Sequence, residues 1–491
     1  MFADQSILLL LAVAVAGAAW SLFLPRPRQV LTTIIGVSAV EMALAINIWT
    51  AVLDGRRFVT AAEQWFYIDA FSAFHIVVLV LVFLLSSAFA GVYFTSATDH
   101  ASFTPPVARR FGALWLGSLA AMLLVLVSNN LGIMWVGMEA TTLLSAFLIS
   151  LYPNRLSLEA MWKYLIICSI GIAFAFMGTL LAAASIQSGG TIGSDALFWT
   201  HLASAEAQLD PTLMKFAFVF VLVGYGTKAG LAPIHSWLPD AHSQAPAPVS
   251  AMFSGFLLNT ALYCIMRFVL PVQHALGDHF ASGLLTAFGI LSILVAAGFI
   301  VFQRDAKRLL AYHSVEHMGI ITLGYGLGPL GAFAALFHTL NHSVCKSLAF
   351  FAVGRLGQRF GSHDMQAISG ALRADSLWGT ALLVSLLALI GVAPFSIFMS
   401  EYQLLGAAVG ASAWLALALF LAASAVVFVS ALRHLIDMAY GTPSITERAK
   451  PDGWLALSIV AVATALLLVL GLWMPLSLSD AIRSAAAVLA G

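Results

Sequence analysis

Charged residues are scarce in this 491-residue chain. Lys, Arg, Asp and Glu together make up only 9% of it, 61% of the residues are hydrophobic and the mean hydropathy is +0.97. An ordinary soluble domain has about 25% charged residues. A soluble fold of this size needs a charged shell around its core, so the composition excludes one and indicates that lipid surrounds most of the chain. We predict an all-α, polytopic membrane protein.

Two further shortages exclude other classes of protein. The 22 Lys+Arg residues are balanced by 22 Asp+Glu residues, and no basic tract is present that could neutralise nucleic-acid phosphates. The three cysteines, Cys168, Cys264 and Cys345, lie singly inside apolar runs, too scattered for a disulfide framework, a zinc site or an iron–sulfur cluster. We therefore expect no nucleic-acid partner, and we expect redox chemistry to be held outside this chain.

Long hydrophobic runs are abundant. A bilayer core about 30 Å thick requires roughly 20 apolar residues per helix, and fourteen segments meet that requirement. The predicted transmembrane spans are residues 6–25, 31–53, 68–96, 111–128, 131–151, 158–185, 211–235, 247–270, 281–301, 307–326, 331–353, 376–408, 411–439 and 453–473.

The basic residues are distributed unevenly between the two sides that these spans define. The loops after odd-numbered spans, with the adjoining helix ends, hold fifteen of the 22 Lys and Arg residues, and the other side holds five. Loops rich in Lys and Arg remain in the cytoplasm. With an even number of spans, this predicts that both termini lie on the periplasmic side.

Two spans contain helix-breaking residues. The seventh has Gly230 and Pro233 just after Lys228, and the twelfth has Gly391 and Pro394 just before Glu401. Broken helices at matching positions of two halves indicate a transport site, because non-helical backbone is tolerated in a membrane only against protein or a water-filled cavity.

Spans 4–8 and 9–13 form two matching units of five helices. Since each unit has an odd number of helices, the two would be inverted relative to each other. We divide the chain into three N-terminal helices (1–110), a first unit (111–270), a second unit (271–440) and a C-terminal helix with a short tail (441–491).

Several ionisable residues lie inside the predicted spans. Each costs at least about 2.5–3.5 kcal/mol near the bilayer centre, so each is a candidate for function. His338, His342 and Lys346 are spaced four residues apart and share one helix face. Together the candidates form a chain of titratable groups across the middle of the membrane, which we call the polar row: Glu139, Lys228, His338, His342, Lys346 and Glu401.

Other interpretations of these residues remain open. Glu139 and Lys228 could form a pair that switches between ion-paired and neutral forms, or a buried ion pair that only holds helices together. Glu316 and Glu41 are weaker candidates. The histidines could instead bind haem, since two helices carry pairs of them: His313, His317, His338 and His342.

The loop of residues 235–251 carries His235, Asp240 and His242 among three prolines. It is either a rigid turn with an acid that caps a helix, or a route by which protons reach Lys228 from the cytoplasm.

This loop also carries a family resemblance. KAGLAPIHSWLPDAHSQAPAPVSAMFSGFLLNTALY resembles the signature of the antiporter-like membrane subunits of respiratory complex I, Mrp-type sodium/proton antiporters and membrane-bound hydrogenases. The resemblance extends to WVGMEATTLLSAFLI, HTLNHSVCKSLAFF and PFSIFMSEY, and covers residues 110–440 in consistent order. AYHSVEHMGI and LLNTALY, with Glu316, His317 and Asn259, resemble the hydrogenase-4 component F group, whereas complex I relatives usually have lysine at position 259.

The resemblance implies specific roles. Glu139 and Lys228 would form the pair of the first half-channel, the histidine and lysine stripe would connect the halves, and Glu401 would be the exit group. The chain would bind no flavin, iron–sulfur cluster, nickel or quinone. Its partners would be other membrane subunits and a peripheral hydrogenase-like or dehydrogenase arm that transfers electrons, in a bacterial inner membrane.

Three functions are compatible with these features. The first is a proton-translocating subunit, without a catalytic centre of its own, in a redox-driven complex of the hydrogenase-4 or formate hydrogenlyase type. The second is a subunit of a cation/proton antiporter that moves H⁺, or H⁺ against Na⁺, without a redox partner. The third is a haem-bearing electron carrier.

Overall fold

The computed structural model describes residues 2–53, 58–96, 102–186, 194–204, 208–442 and 452–489. Nearly all of these residues are helical, as predicted. The helices are α1 (Phe2–Ser21), α2 (Pro27–Leu53), α3 (Ala70–Phe94), α4 (Pro105–Val127), α5 (Leu131–Ile149), α6 (Arg155–Ala184), α7 (Trp199–Leu202), α8 (Pro211–Ala229), α9 (Trp237–Gln244), α10 (Ala247–Met252), α11 (Leu258–Arg267), α12 (Val269–Leu276), α13 (Asp278–Ile300), α14 (Ala306–Gly326), α15 (Gly328–Phe360), α16 (Ala371–Ala374), α17 (Ser376–Leu389), α18 (Ser396–Gly410), α19 (Trp414–Tyr440), α20 (Trp454–Leu472) and α21 (Leu476–Ala487).

Every predicted span corresponds to a helix or to a broken helix. Ten helices in the described ranges are long and apolar enough to cross a membrane by length and composition. The other predicted spans are the short apolar helix α1, the two helices α14 and α15, which carry buried histidines and charges, and the broken pair α17–α18. The chain is therefore an all-α polytopic membrane protein.

The two predicted breaks have the same local geometry. α8 and α17 each end one or two residues before a glycine with positive φ, +74° at Gly230 and +70° at Gly391. A cis proline follows three residues later in both, Pro233 and Pro394. Glycine adopts positive φ without steric cost, which is why each helix can end so abruptly. This recurrence supports the division into two five-helix units, whose boundaries stay a prediction.

Among the elements that were not predicted, two pack against the long helices. The first is a hairpin of β1 (Phe58–Ala61) and β2 (Phe66–Asp69), paired antiparallel with Phe58 opposite Asp69. The second is helix α21, in the region predicted as a short tail, which packs against α3 and α15. Both segments are too short or too polar to register as spans.

Four basic residues used for the predicted orientation, Arg56, Arg57, Arg448 and Lys450, lie outside the described residues.

A buried ion pair between Asp69 and Arg267 joins the end of the hairpin to helix α11. Asp69 caps α3 by accepting a hydrogen bond from the Ser72 amide, and its two carboxylate oxygens accept from Arg267 at 2.7 and 2.9 Å. Both side chains are almost fully buried. Tyr263 accepts from Arg267 Nε at 2.9 Å, so the guanidinium is held on several sides.

Glycines allow α6 and α8 to pack closely. A Cβ atom at Gly224 of α8 would lie 2.6 Å from the Gly171 carbonyl oxygen of α6, and one at Gly178 would lie 2.7 Å from the Ala217 oxygen. Small residues at such crossings let helix backbones approach, which is a main source of helix association in lipid. This contact positions the end of α8, and with it Lys228, against α6.

We therefore predict that Gly224→Ala lowers the stability of the protein by about 1–3 kcal/mol, because the added methyl group overpacks a backbone contact. The measurement is the melting temperature of the detergent-solubilised protein. Gly298→Ala is the matched control, since nothing lies within 4 Å of a Cβ atom at that helical position. Equal melting temperatures for the two variants would show that the α6–α8 contact is not tight.

Candidate functional site

Lys228 is fully buried near the end of α8. Its Nζ donates to the hydroxyl of Thr142 at 2.8 Å and, through a shorter contact, to the hydroxyl of Tyr164, and it lies 4.6 Å from the centre of the Tyr164 ring. Tyr164 in turn shares a 2.6 Å hydrogen bond with Ser145. Helices α5 and α6 thus surround the ammonium group with neutral oxygens.

Glu139 lies on α5, the helix that also carries Thr142. Its Oε1 accepts a hydrogen bond of 2.9 Å from Ser169 on α6, whereas its Oε2 is buried without a protein partner. No ion pair within 4.0 Å joins Glu139 to Lys228 in this part of the described chain. Glu139 accepts from the hydroxyl of Ser169, whereas Lys228 donates to the hydroxyls of Thr142 and Tyr164. The two charged groups therefore contact the same pair of helices, α5 and α6, without contacting each other.

The predicted stripe lies on α15, and α14 faces it. His338, His342 and Lys346 are all buried. His317 of α14 forms a 2.8 Å hydrogen bond between its Nδ1 and the Nε2 of His338, and its ring centre lies 5.2 Å from that of His342. With His313, these residues place four imidazoles next to one another, which we call the central histidine cluster: His313, His317, His338 and His342.

The central histidine cluster contacts the second broken helix. His317 Nε2 lies 3.1 Å from the Leu389 carbonyl oxygen at the end of α17, and His338 Nδ1 lies 2.9 Å from the Ser400 hydroxyl in α18. Glu401 follows Ser400, and a Cβ atom at Gly391 would collide with its carboxylate. The break therefore places the Leu389 carbonyl oxygen and the Glu401 carboxylate close to the imidazoles.

Glu316 and Lys346 lie at the other side of the cluster. Glu316 Oε2 is 2.8 Å from His313 Nδ1, and both residues are buried. Lys346 Nζ donates to the Leu310 carbonyl oxygen and lies 5.4 Å from the Phe350 ring centre. Glu316 thus takes part in the cluster, although the sequence marked it as a weaker candidate.

His342 has no hydrogen-bond partner on the protein at either ring nitrogen, although both nitrogens are buried. The same holds for Oδ1 of Asn259 and Oε2 of Glu139. Buried polar atoms nearly always have a partner, which in a polar interior is often ordered water. These atoms are the positions at which we expect water molecules to bind.

Asn259 follows a stretch of π-helix, Phe253–Leu257, that joins α10 to α11. Its amide nitrogen donates to the Gly255 carbonyl oxygen of its own helix at 3.2 Å. Within the π-stretch, Ser254 shares a hydrogen bond of 2.7 Å with Ser314 of α14. Such π-stretches are rare and frequent at functional sites.

Asp240 is an ion-paired residue, not a helix cap. It lies in the first turn of α9 and binds Arg308 of α14 at 2.7 Å and Lys163 of α6 at 3.0 Å. His235 is buried and its Nδ1 has no protein partner. Asp240 lies ten residues after Gly230, and Glu401 lies ten residues after Gly391. The two breaks thus carry carboxylates at equivalent positions, one neutralised by two cations and the other beside histidines.

The spacing of His317 and His338 differs from that of two axial haem ligands. Two axial nitrogens at about 2 Å from an iron would lie about 4 Å apart on opposite faces of a porphyrin. The facing nitrogens of His317 and His338 are only 2.8 Å apart. No porphyrin can lie between these two rings.

Sequence reasoning missed four residues that hold the site together: Thr142, Tyr164, Ser169 and Ser400. None is charged, so none stands out in an apolar run. Tyr164 lies beside Lys163 in a helix whose hydrophobic residues surround it on all sides, and only the position of Lys228 reveals what its hydroxyl contacts.

The chain matches known proteins over most of its length. The family model described as NADH:quinone oxidoreductase/Mrp antiporter, TM, matches residues 128–427. The hydrogenase-4 component F homolog of Methylacidiphilum infernorum is 39% identical over 388 residues, which cover 77% of this chain and 80% of the relative. The NADH-quinone oxidoreductase subunit 14 of Thermus thermophilus is 31% identical, covering 74% of this chain and 78% of the relative.

A solved structure has the same fold. A chain of the membrane-bound sulfane sulfur reductase, an archaeal respiratory membrane complex, superposes with a TM-score of 0.87 over 99% of this chain and 98% of its own length, at 24% identity. The fold and the buried ionisable residues define an antiporter-like membrane subunit. The chain belongs to the NADH:quinone oxidoreductase/Mrp antiporter transmembrane family.

The ion pairs of Asp240 predict a measurable difference in stability. Asp240→Asn should lower stability by about 1 kcal/mol, since it removes two partly buried ion pairs that connect α9 to α6 and α14. Glu159→Gln is the matched control, because Glu159 binds only Lys163 within α6 and is exposed. Its expected loss is below about 0.5 kcal/mol. Thermal unfolding of the two solubilised variants provides the measurement, and an equal loss in both would contradict the role of Asp240 as a connector.

Proposed function

We propose that this subunit translocates protons along the polar row, driven by electron transfer in partner subunits of a hydrogenase-4 or formate hydrogenlyase type complex. The observation that carries this proposal is the surroundings of the two lysines of the polar row. Lys228 and Lys346 are fully buried, yet both donate to neutral oxygens, and neither has a carboxylate within 4.0 Å among the described residues.

Neutral partners suit a proton carrier better than a structural ion pair does. A buried lysine that is locked to a carboxylate remains charged and fixed, because breaking such a pair costs about 3–5 kcal/mol. A lysine held by hydroxyl and carbonyl oxygens can gain or lose its proton, and a shift of Glu139 toward or away from it changes which form is favoured. Glu139 is near enough to Lys228 for an electrostatic interaction.

The central histidine cluster provides the connection between the two halves. Imidazole can accept a proton at one nitrogen and release one from the other, so His317 and His338, whose facing nitrogens are 2.8 Å apart, form a suitable step for protons. In this proposal, protons pass from Lys228 toward Lys346, His342 and His338, and leave through Glu401. Glu316, bound to His313, supplies a carboxylate to a site whose expected lysine is replaced by Asn259.

The location and the partners follow from the same proposal. The subunit lies in the bacterial inner membrane with both termini in the periplasm, as its distribution of Lys and Arg favours. The redox centres lie in a peripheral hydrogenase-like or dehydrogenase arm, and this chain holds none. The alternative is an Mrp-type antiporter subunit without a redox partner, which the family description also includes.

We expect Glu139→Gln or Lys228→Ala to abolish proton translocation while the complex still assembles. The measurement is proton uptake into liposomes that contain the purified native complex, followed with a pH-sensitive dye after addition of its electron donor. Glu159→Gln and Lys215→Ala are matched controls, since both residues are exposed. Full translocation by an assembled Glu139 or Lys228 variant would refute the assigned roles.

The purified native complex also distinguishes the redox-driven function from the antiporter function. Hydrogenase-like or dehydrogenase subunits that co-purify support the redox-driven complex. Proton transport that responds to a sodium gradient without an electron donor supports the antiporter instead.

The hydrogen bond from Lys228 to Tyr164 predicts an intermediate effect. Tyr164→Phe should lower the rate of translocation about tenfold, because one hydrogen bond to a charged group contributes about 1.5 kcal/mol. The phenyl ring preserves the packing against Trp237, whose ring centre lies 4.9 Å away. Tyr402→Phe is the control, since that hydroxyl is on an exposed side chain. An unchanged rate in the Tyr164 variant would show that its hydroxyl does not position Lys228.

A further inference from the structure

Three ligand atoms meet where the central histidine cluster contacts the second broken helix. His317, His338 and Glu401 each offer one atom, and these atoms all lie within 4.8 Å of one another. His317 and His338 are fully buried. The cysteines of the chain are too scattered to bind a metal, but this set of two imidazoles and one carboxylate does not need them.

The outer nitrogens of the two rings determine what lies between the rings. His317 Nε2 faces the Leu389 carbonyl oxygen, which only accepts, so this nitrogen carries the hydrogen. The Ser400 hydroxyl has a single hydrogen, and it can donate this hydrogen either to the Ile397 carbonyl oxygen at 2.8 Å or to His338 Nδ1 at 2.9 Å. When the hydroxyl donates to Ile397, His338 Nδ1 carries its own hydrogen and donates to Ser400.

In this second tautomer, in which Ser400 donates to Ile397, the inner nitrogens are left with lone pairs. A neutral imidazole has one N–H, so His317 Nδ1 and His338 Nε2 face each other at 2.8 Å without a hydrogen. Two lone pairs at that distance repel unless a cation lies between them. The cation can be a proton, as in the proposed relay, or a metal ion.

We propose that His317 Nδ1, His338 Nε2 and the Glu401 carboxylate form a binding site for a transition-metal cation of the Zn²⁺ type. Tetrahedral zinc has ligands at about 2.0–2.2 Å, which places neighbouring ligand atoms about 3.3 Å apart. The two nitrogens need to separate by about 0.5 Å to reach that spacing. The metal takes the position of the shared proton.

The outer hydrogen bonds match those of a metal site. Histidines that bind metals usually donate their other N–H to a carbonyl, a carboxylate or water, which fixes the ring orientation. Here Leu389 and Ser400 accept those two bonds. A fourth ligand is water or His342, whose two nitrogens lack protein partners and whose ring centre lies 5.2 Å from that of His317.

The donor set determines which cations bind. Imidazole nitrogens suit Zn²⁺, Co²⁺ and Ni²⁺, whereas Mg²⁺ and Ca²⁺ require oxygen ligands. A second set, His313, Glu316 and His317, shares His317 with the first, and its His313 Nδ1 is already bound to Glu316. One metal ion per chain is therefore expected, at the site that includes Glu401.

Metal binding would block proton transfer, and this consequence rests on the proposed function. A bound ion occupies His338 Nε2 and the Glu401 carboxylate, and so removes the step between these two groups of the polar row. Binding itself does not depend on translocation, so the two can fail separately.

The test is Zn²⁺ binding to the purified native complex without an electron donor, measured by isothermal titration and by X-ray absorption at the zinc edge. We expect one Zn²⁺ in this chain with two imidazole ligands, no competition by Mg²⁺, and at least tenfold weaker binding in His338→Ala. His279→Ala is the matched control, since His279 is exposed and outside the cluster.

Equal affinity of the His338→Ala and His279→Ala complexes would overturn the proposal. If His338→Ala does not assemble, the wild-type absorption spectrum decides, because zinc without two imidazole ligands would also overturn it. A wild-type complex that pumps protons but binds no Zn²⁺ would overturn the metal site and leave the proposed function intact.

Discussion

The structure depends on how a hydrophobic helix bundle stabilises ionisable groups away from water. Such groups are costly in a membrane, so each must find a partner or lie along a hydrated route. Two solutions occur in this chain. Arg267 is bound to Asp69 by two hydrogen bonds, which connect α11 to the hairpin. Lys228 and Lys346 are held by neutral oxygens, which fixes their position and leaves their charge free to change.

The two broken helices explain where these groups lie. Each break frees backbone carbonyls that a continuous helix would use internally, and His317 contacts one of them, at Leu389. The equivalent positions ten residues after each glycine carry Asp240 and Glu401. The first is bound by Arg308 and Lys163, and the second faces imidazoles. The first break is thus followed by a carboxylate that two cations bind, Asp240, and the second by a carboxylate that lies beside imidazoles, Glu401.

The sequence predicts the fold well because hydrophobic length and helix-breaking residues are local signals. All fourteen spans correspond to helices, and both breaks occur at the predicted glycines. The charged and histidine members of the site could also be predicted, because ionisable residues are conspicuous in apolar runs. Their partners could not: Tyr164 and Ser400 are ordinary polar residues, and only the packing of distant helices shows what they contact. Whether Glu139 and Lys228 are ion-paired could not be predicted for the same reason, since a distance between helices is not encoded in spacing along one chain.

The central claim is that the polar row is connected by water and not separated by tightly packed apolar side chains. The most direct measurement is an electron cryo-microscopy map of the native complex at a resolution that shows ordered water. We expect the map to show water molecules bound to both ring nitrogens of His342, and further water molecules between His342 and both Lys228 and Glu401. A dry, close-packed layer of hydrophobic side chains between Lys228 and His342 would contradict it.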